Sequence, residues 1–382
     1  MELGNRKDIK KFDSIKDKKF YNPFRFYSTL MTNKKILGGG LSGLTAAINL
    51  AKAGYKVEVY EKNKDVGMRF GGDLQGLENW SEKKDILEDL EEMNVKTNFD
   101  YVPFSAIELR NCKTGRVLKF EKPIVYTVKR GSFPGTFDQH MKKLALKEGV
   151  KINFKRSIAP KEADIVATGP EHKRVMAVAK GVTFKTNHKD IIVGLVNDEL
   201  AFRAYSYLII AKGYGCLCSS VGGDLKRIGE CFEKTKRFFE KKYRLKIKNG
   251  KKVGGVATFS FNQKYKSGKT LYVGEAAGLQ DFLWGFGMRY AITSGYLAAQ
   301  SIINKWDYEK VIHKRFKNKL KAGIVNRFLW EKLNRNEYKG VIDHSEALKN
   351  HIYSLNNYNI IQRVISPLAV RHINKEYPHI VK

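Results

Sequence analysis

Three glycines and one acid are the residues best placed to do chemistry in this chain. Gly38, Gly40 and Gly43 carry the spacing G-x-G-x-x-G, and Glu61 follows them. Gly38 allows a tight turn, Gly40 leaves room for a pyrophosphate, and Gly43 lets a helix pack close to a strand. The free N–H groups and positive dipole end of that helix, at Leu41 and Ser42, then face the phosphates. Glu61 is placed to accept both hydroxyls of an adenosine ribose, with Lys62 beside it. A phosphate loop of the nucleoside-triphosphatase kind is excluded, because no Gly-Lys-Ser/Thr follows.

The surrounding elements support that chemistry. The stretch that opens at Ile36 reads as a short apolar strand. Residues 44–53 read as a helix with Leu44, Ala47, Ile48 and Ala51 on one face, stopped by Gly54. Residues 55–60 alternate as a second strand ending at Glu61. Strand, turn, helix, strand and acid within about 30 residues is a specific signal, where the glycines alone are not.

A loop from Lys62 to Asp73 follows, in which Arg69 is a candidate to pair with a phosphate or steady the cofactor. An acidic helix over 82–93 comes next, then strands over 101–109 and 117–128. Thr136 caps a helix that ends at Gly149. Residues 150–158 are a further strand, and 163–167 a buried one running into the Thr168–Gly169 loop. Short alternating strands at 190–196, 200–211, 214–220 and 255–262 predict an antiparallel sheet. A basic amphipathic helix from Asp224 to about Tyr243 interrupts them, with Leu225, Ile228, Phe232 and Phe239 on its apolar face. Its other face and the following loop, with cations from Lys234 to Lys248, are a candidate surface for membrane or phosphate. The second anchor runs from Leu271: strand, Gly274–Glu275 turn, a loop with Gly285, and a helix beginning near Gly287 and Met288. Residues 306–382 read as helical, basic and aromatic, packed over the rest.

The 382 residues predict two or three domains, and the formal charge of +32 attracts anionic partners. Four cysteines without a framework fit a reducing compartment and a cytoplasmic protein, in peripheral contact with a membrane surface. No apolar run reaches the ~20 residues of a bilayer span. Residues 1–33 form a basic tail interleaved with Phe20, Tyr21, Phe24, Phe26 and Tyr27, and Met31 stands directly before the fold. Cys216 and Cys218 share one face of a strand and read as buried thiols. His140 and His172 are lone, and no Cys/His cluster has metal-ligand spacing. Tyr214 is the candidate proton donor, facing the substrate cavity from its strand.

Taken together, these residues resemble the FAD-dependent oxidoreductases of the geranylgeranyl reductase family, within the broader p-hydroxybenzoate hydroxylase-like class. The carrying residues are Gly38–Gly43 with Glu61, Ala167–Gly169, and Gly274–Gly278 with Gly285, Gly287 and the Arg289–Ala291 helix start, covering roughly residues 34–305. The resemblance implies an α/β fold: a Rossmann-type FAD domain (34–75, 110–170 and 265–305), a substrate domain with an antiparallel sheet (76–109 and 171–264), and a helical C-terminal region (306–382). It implies hydride delivery from reduced flavin to C=C bonds of a prenyl chain or lipid, with NAD(P)H or a ferredoxin-like carrier as electron donor. The N-terminus of the helix at Gly287 suits negative charge on a reduced flavin. Phe282, Trp284, Phe286 and Tyr290 would line an apolar channel beside it. The family's second motif carries Asp where this chain has Glu275, and no cysteine stands beside Arg69, so no family proton donor is carried over. A flavin monooxygenase acting on an apolar substrate is the alternative. A tRNA-acting flavoprotein is suggested only by the charge, and no base-stacking platform supports a nucleic-acid partner.

Overall fold

The computed structural model describes residues 32–170, 175–260, 264–333 and 338–378. The basic tail before Thr32, with its interleaved aromatics and Met31, and also His172, lie outside the described residues.

Apolar alternation and β-branched residues make three sheets among the described residues. The first is β15-β16-β9-β1-β2-β8, with β1 (Asn33–Leu37), β2 (Lys56–Glu61), β8 (Lys151–Phe154), β9 (Ile165–Val166), β15 (Lys266–Ser267) and β16 (Thr270–Tyr272). All its pairs are parallel except β15 with β16. The second, β3-β7-β4, is antiparallel: β3 (Gly71–Glu78), β4 (Tyr101–Phe104) and β7 (Val125–Gly131). The third is β14-β10-β13-β12-β11-β5-β6, with β5 (Ala106–Arg110), β6 (Gly115–Lys119), β10 (Val175–Lys185), β11 (Ile191–Leu195), β12 (Ser206–Ala211), β13 (Tyr214–Gly222) and β14 (Lys251–Thr258).

The helices are α1 (Leu41–Lys52), α2 (Ile86–Glu92), α3 (Phe137–Lys147), α4 (Ile228–Lys242), α5 (Met288–Asn304), α6 (Tyr308–Leu333), α7 (Lys339–Asp343), α8 (Ser345–His351) and α9 (Ile360–Glu376). The main core joins Ile36, Val57 and Val59 of the parallel sheet to Leu44 and Ile48 of α1, Met141 of α3, and Ile292 and Ala298 of α5. α1 is buried from Leu41 to Leu50, not on the one face expected, because α3 and α5 enclose it. Its polar Asn49 is accommodated because Nδ2 donates to the carbonyls of Thr45 and Met93, each at 2.9 Å. Thr136 caps α3 as expected, accepting from the Gln139 N–H.

Several boundaries differ from the expectation. β3 begins at Gly71, inside the expected loop. β6 lies past the expected boundary at 110, yet it pairs with β5 in the third sheet and not with the parallel sheet. α2 packs into the core of the parallel sheet through Ile86 and Leu90, not into the substrate layer. The strand expected from 200 begins at Ser206, after a turn in which Asn197 accepts backbone N–H groups from Glu199 and Leu200. β10 was not expected at all. It runs beside β13 at Gly181, where a Cβ would stand 2.1 Å from Cys218 Sγ. The described residues from Asn33 onward form one compact unit, so the parallel and antiparallel layers are not independent bodies.

The third sheet has two different faces. Leu208, Ile210 and Leu217 pack against Phe232 and Phe239 of α4. Ile209, Cys216 and Cys218 point the other way, toward Trp80 and Leu74. Period-two alternation thus places one set of side chains under α4 and the other toward a cavity.

Candidate functional site

At the end of β1 the chain turns through Gly38 at φ +108°, where a Cβ would lie 2.3 Å from the Ala167 carbonyl oxygen. Only glycine fits. Gly43 packs rather than lines: a Cβ there would stand 2.1 Å from the Gly38 carbonyl oxygen. Gly40 is the opposite case. It is the N-cap of α1, and a Cβ on it would meet nothing within 4 Å. No side chain caps α1 and its first turn holds no acid, so its N–H groups and dipole are left for a ligand.

Glu61 closes this end. Its Oε2 accepts the Gly39 N–H at 2.9 Å, and its Oε1 accepts the Asn63 N–H at 2.9 Å and Nδ2 at 2.7 Å. The carboxylate is held in place, and its Oε2 keeps room for one further donor. Leu41, Ser42, Lys62, Thr168 and Gly169 line the same space.

The second turn behaves differently from the expectation in one respect. Gly274 does not line the cavity. Its N–H donates to Ser294 Oγ at 2.9 Å, and a Cβ would stand 2.9 Å from Ser42 Oγ, so it packs the two turns together. Gly295 does the same for the helices, its Cβ position lying 2.1 Å from the Ser42 carbonyl oxygen. This contact carries α5 across the first turn of α1. α5 also starts without a side-chain cap or a first-turn acid, and Gly285, Gly287 and Met288 line the cavity. Two uncapped helix N-termini therefore share one chamber. Arg69 and Glu275 stand at its wall as an ion pair at 3.0 Å.

The chamber has a volume of about 850 Å³. Beyond the glycine turns comes a polar wall, where Arg130 donates to both oxygens of Asp138 at 2.8 Å and to Gln75 at 3.1 Å. The remainder is apolar: Ile107, Leu118, Phe120, Ile192, Ile209 and Trp330. Trp80 closes against Phe286 (centroids 4.7 Å apart) and Trp284 (5.8 Å), both edge-on. Trp284 and Phe286 line the cavity as expected, held by a locked loop. Asp281 accepts the Trp284 N–H at 2.7 Å, and Tyr205 donates its hydroxyl to the Trp284 carbonyl at 2.6 Å. Burial pushes the Asp281 carboxyl up to about 6.

Two expected lining residues are core instead. Phe282 turns away to Phe259 (4.5 Å) and the backbone of α6 at Gly323, and Tyr290 stacks on Phe316 of α6 at 5.1 Å. Their neighbours occupy the cavity because the loop and the first turn of α5 present alternate sides to it. Tyr214 is also displaced. It shares a strand face with Cys218 and Ser220, which line the cavity, but sits past its end, under Lys129 Nζ at 4.0 Å from its ring and beside Gly72. Cys216 is fully buried, with its sulfur 3.9 Å from Cys218 Sγ, and its thiol is pushed up.

Sequence reasoning missed Tyr205, just before β12, and Tyr207 within it, which line the chamber. Tyr207 lies directly across the ladder from Cys218. The alternation Tyr205, Tyr207, Ile209 was the available signal, but it does not say which face is inward. Leu348, Lys349 and Ile352 from the C-terminal region also reach the chamber, and nothing local in their sequence foretells it.

Residues 36–72 match the NAD(P)-binding Rossmann-like domain family. Among solved structures, the chain is similar to a geranylgeranyl bacteriochlorophyll reductase-like protein from Thermoplasma acidophilum. The TM-score is 0.62 at 20% identity, covering 91% of this chain and 98% of that one. It is also similar to a flavin-dependent brominase (TM-score 0.63, 14% identity, 90% and 100% covered). The chain has the fold of the FAD-dependent oxidoreductases. A probable FAD-dependent monooxygenase from Pseudomonas aeruginosa shares this FAD-dependent oxidoreductase fold (TM-score 0.59, 13% identity, 82% and 100% covered). No curated protein sequence matches the chain. The residues present fit the cofactor of that fold: open space at Gly40 and Gly169, two uncapped helix N-termini, and an anchored carboxylate at Glu61. Among the described residues, no helix is long and apolar enough to cross a membrane.

Proposed function

We propose that this protein binds FAD and reduces C=C bonds of a prenyl chain or prenyl lipid. The observation that carries the reading is the single chamber that joins a phosphate-ready, glycine-lined end to a long apolar end. FAD, when bound and reduced, supplies the hydride.

The chain's own residues do the rest. Glu61 accepts a ribose hydroxyl at Oε2, and the N–H groups at Leu41 and Ser42 meet the pyrophosphate. The uncapped start of α5, at Gly287 and Met288, favours negative charge on the flavin. Ile107, Leu118, Ile192, Ile209, Trp284 and Phe286 take up the apolar chain and exclude water. Tyr207 replaces Tyr214 as the proton donor in this reading, because it lines the chamber and Tyr214 does not. Burial and the neighbouring Cys218 hold its hydroxyl neutral, so it keeps a proton to give. NAD(P)H or a ferredoxin-like carrier reduces the flavin in a transient encounter.

The test is a visible spectrum of the purified protein, then anaerobic reduction and addition of unsaturated prenyl lipid. Recovery of the oxidised flavin spectrum with a more saturated lipid product supports the reading. Recovery only with oxygen, with a hydroxylated product, replaces it with a monooxygenase. Absence of flavin after supplying FAD sinks the cofactor assignment as well.

A further inference from the structure

We propose that the outward face of α9 docks on an anionic membrane surface. Four large apolar residues stand exposed on this one helix: Ile360 (71% exposed), Ile361 (66%), Val364 (73%) and Leu368 (62%). The opposite side of the helix holds it to the protein. Ala369 and Ile373 are buried against Ile324 and Val325 of α6, and Gln362 Nε2 donates to Asn326 Oδ1 at 2.9 Å. The exposed residues are therefore not a misplaced core. They form a stripe on a helix that is already fully anchored, and Asn359 and Gln362 close its N-terminus in a capping box.

Charge identifies the occupant. At the helical period, Arg371 and Lys375 continue the stripe begun by Ile360, Val364 and Leu368, and Arg363 flanks it. The helix holds one acid, Glu376, which is turned inward to Arg203 at 2.9 Å. An apolar stripe continued by cations with no exposed acid is the pattern of a helix lying in the interface of an anionic bilayer. A second copy of the chain fits poorly. Two-fold pairing would join molecules each of formal charge +32, with no acid on either stripe to meet the cations.

The basic helix α4, expected from the sequence as the membrane-facing surface, lacks this pattern. Phe232 and Phe239 are spent on the third sheet, Lys234 pairs with Glu230 at 2.7 Å, and it exposes no large apolar residue. The α9 proposal stands whether or not the substrate is a prenyl lipid.

The experiment is co-sedimentation of the full chain with vesicles of phosphatidylcholine alone or mixed with phosphatidylglycerol, together with lipid-free sedimentation velocity. The wild type is expected to bind the mixed vesicles and only weakly the neutral ones. Val364→Glu/Leu368→Glu and, separately, Arg371→Glu/Lys375→Glu should each weaken binding by about tenfold or more. All four side chains point outward, so an unchanged melting temperature confirms that each variant folds. Equal vesicle binding by the variants overturns the proposal, as does binding that ignores lipid charge. A lipid-free dimer that the Val364→Glu/Leu368→Glu change dissociates assigns the face to self-association instead.

Discussion

Arg69 grips Glu275 across 206 residues of sequence, its Nη1 donating to both carboxylate oxygens at 3.0 and 3.2 Å, while its Nη2 donates to the Val256 carbonyl at 2.8 Å. One guanidinium thus joins the loop after β2, the turn before α5 and the edge strand β14 at the cavity wall. The pair is partly exposed, so its removal should cost less than about 1 kcal/mol of stability. Its effect should appear in binding. Arg69→Ala is expected to weaken FAD affinity about tenfold, by losing the alignment of the two walls, with a nearly unchanged melt. Fluorescence titration of the apo-protein measures this, and unaltered affinity would make the pair a structural clasp only.

The two glycines of the first turn should fail in opposite ways. Gly40 has ordinary backbone (φ −80°) and open space around a Cβ, so Gly40→Val should fold and lose FAD. Gly43→Ala drives a Cβ into the Gly38 carbonyl, and should lose about 2–3 kcal/mol by overpacking. Flavin content and chemical denaturation of both variants read the contrast. Normal flavin content in Gly40→Val would remove the phosphates from this turn.

Arg289 is a tertiary clasp, not a cofactor ligand. It is buried, pairs with Asp89 of α2, and lies 3.7 Å from the buried Glu78 of β3. Arg289→Ala leaves both acids without their cation and should cost about 3–5 kcal/mol. Arg289→Met should cost about as much, since the buried Glu78 and the half-buried Asp89 both lose the guanidinium. A urea titration decides, and a loss under about 1 kcal/mol would mean water reaches Asp89 and Glu78.

Asp281 should make stability fall with rising pH. Its carboxyl is pushed from an ordinary 3.8 to about 6 in the fold, so the native state holds the proton more tightly than the unfolded chain. That stabilisation is complete below the ordinary value and is lost as pH rises through about 6. Its full size is at most about 3 kcal/mol. Asp281→Asn keeps an acceptor for the Trp284 N–H without the charge. Relative to wild type, it should gain stability between about pH 4 and about pH 7. Parallel pH profiles of the two proteins would show that Asp281 does not titrate in this window.

Tyr207 and Tyr214 separate by position. Tyr207→Phe is expected to slow flavin reoxidation by an unsaturated lipid about a hundredfold, with flavin content preserved. Tyr214→Phe should leave the rate intact, because the ring lies past the end of the chamber. The reverse ranking in stopped-flow traces would restore Tyr214 as donor.

Much of the cofactor end was legible because it is local. Gly38, Gly40, Gly43 and Glu61 sit on a strand–turn–helix–strand unit whose geometry follows from backbone sterics over a short span. The second anchor was legible as a helix start at Gly287 for the same reason. The substrate end was not. Phe282, Trp284, Phe286 and Tyr290 look alike in sequence, and only the packing of α6 decides that Phe282 and Tyr290 belong to the core. The unexpected strand β10, the entry of β6 into the third sheet, and the arrival of α8 at the chamber are long-range pairings with no local signal.

By itself, the sequence determined where the chain turns on glycine between a strand and a helix, because there the absence of a Cβ is a property of the residue. Only the tertiary structure decided which aromatic rings face the chamber, which tyrosine reaches it, and that the apolar stripe of α9 is left outside. These depend on which elements meet, and a residue's type does not record its neighbours.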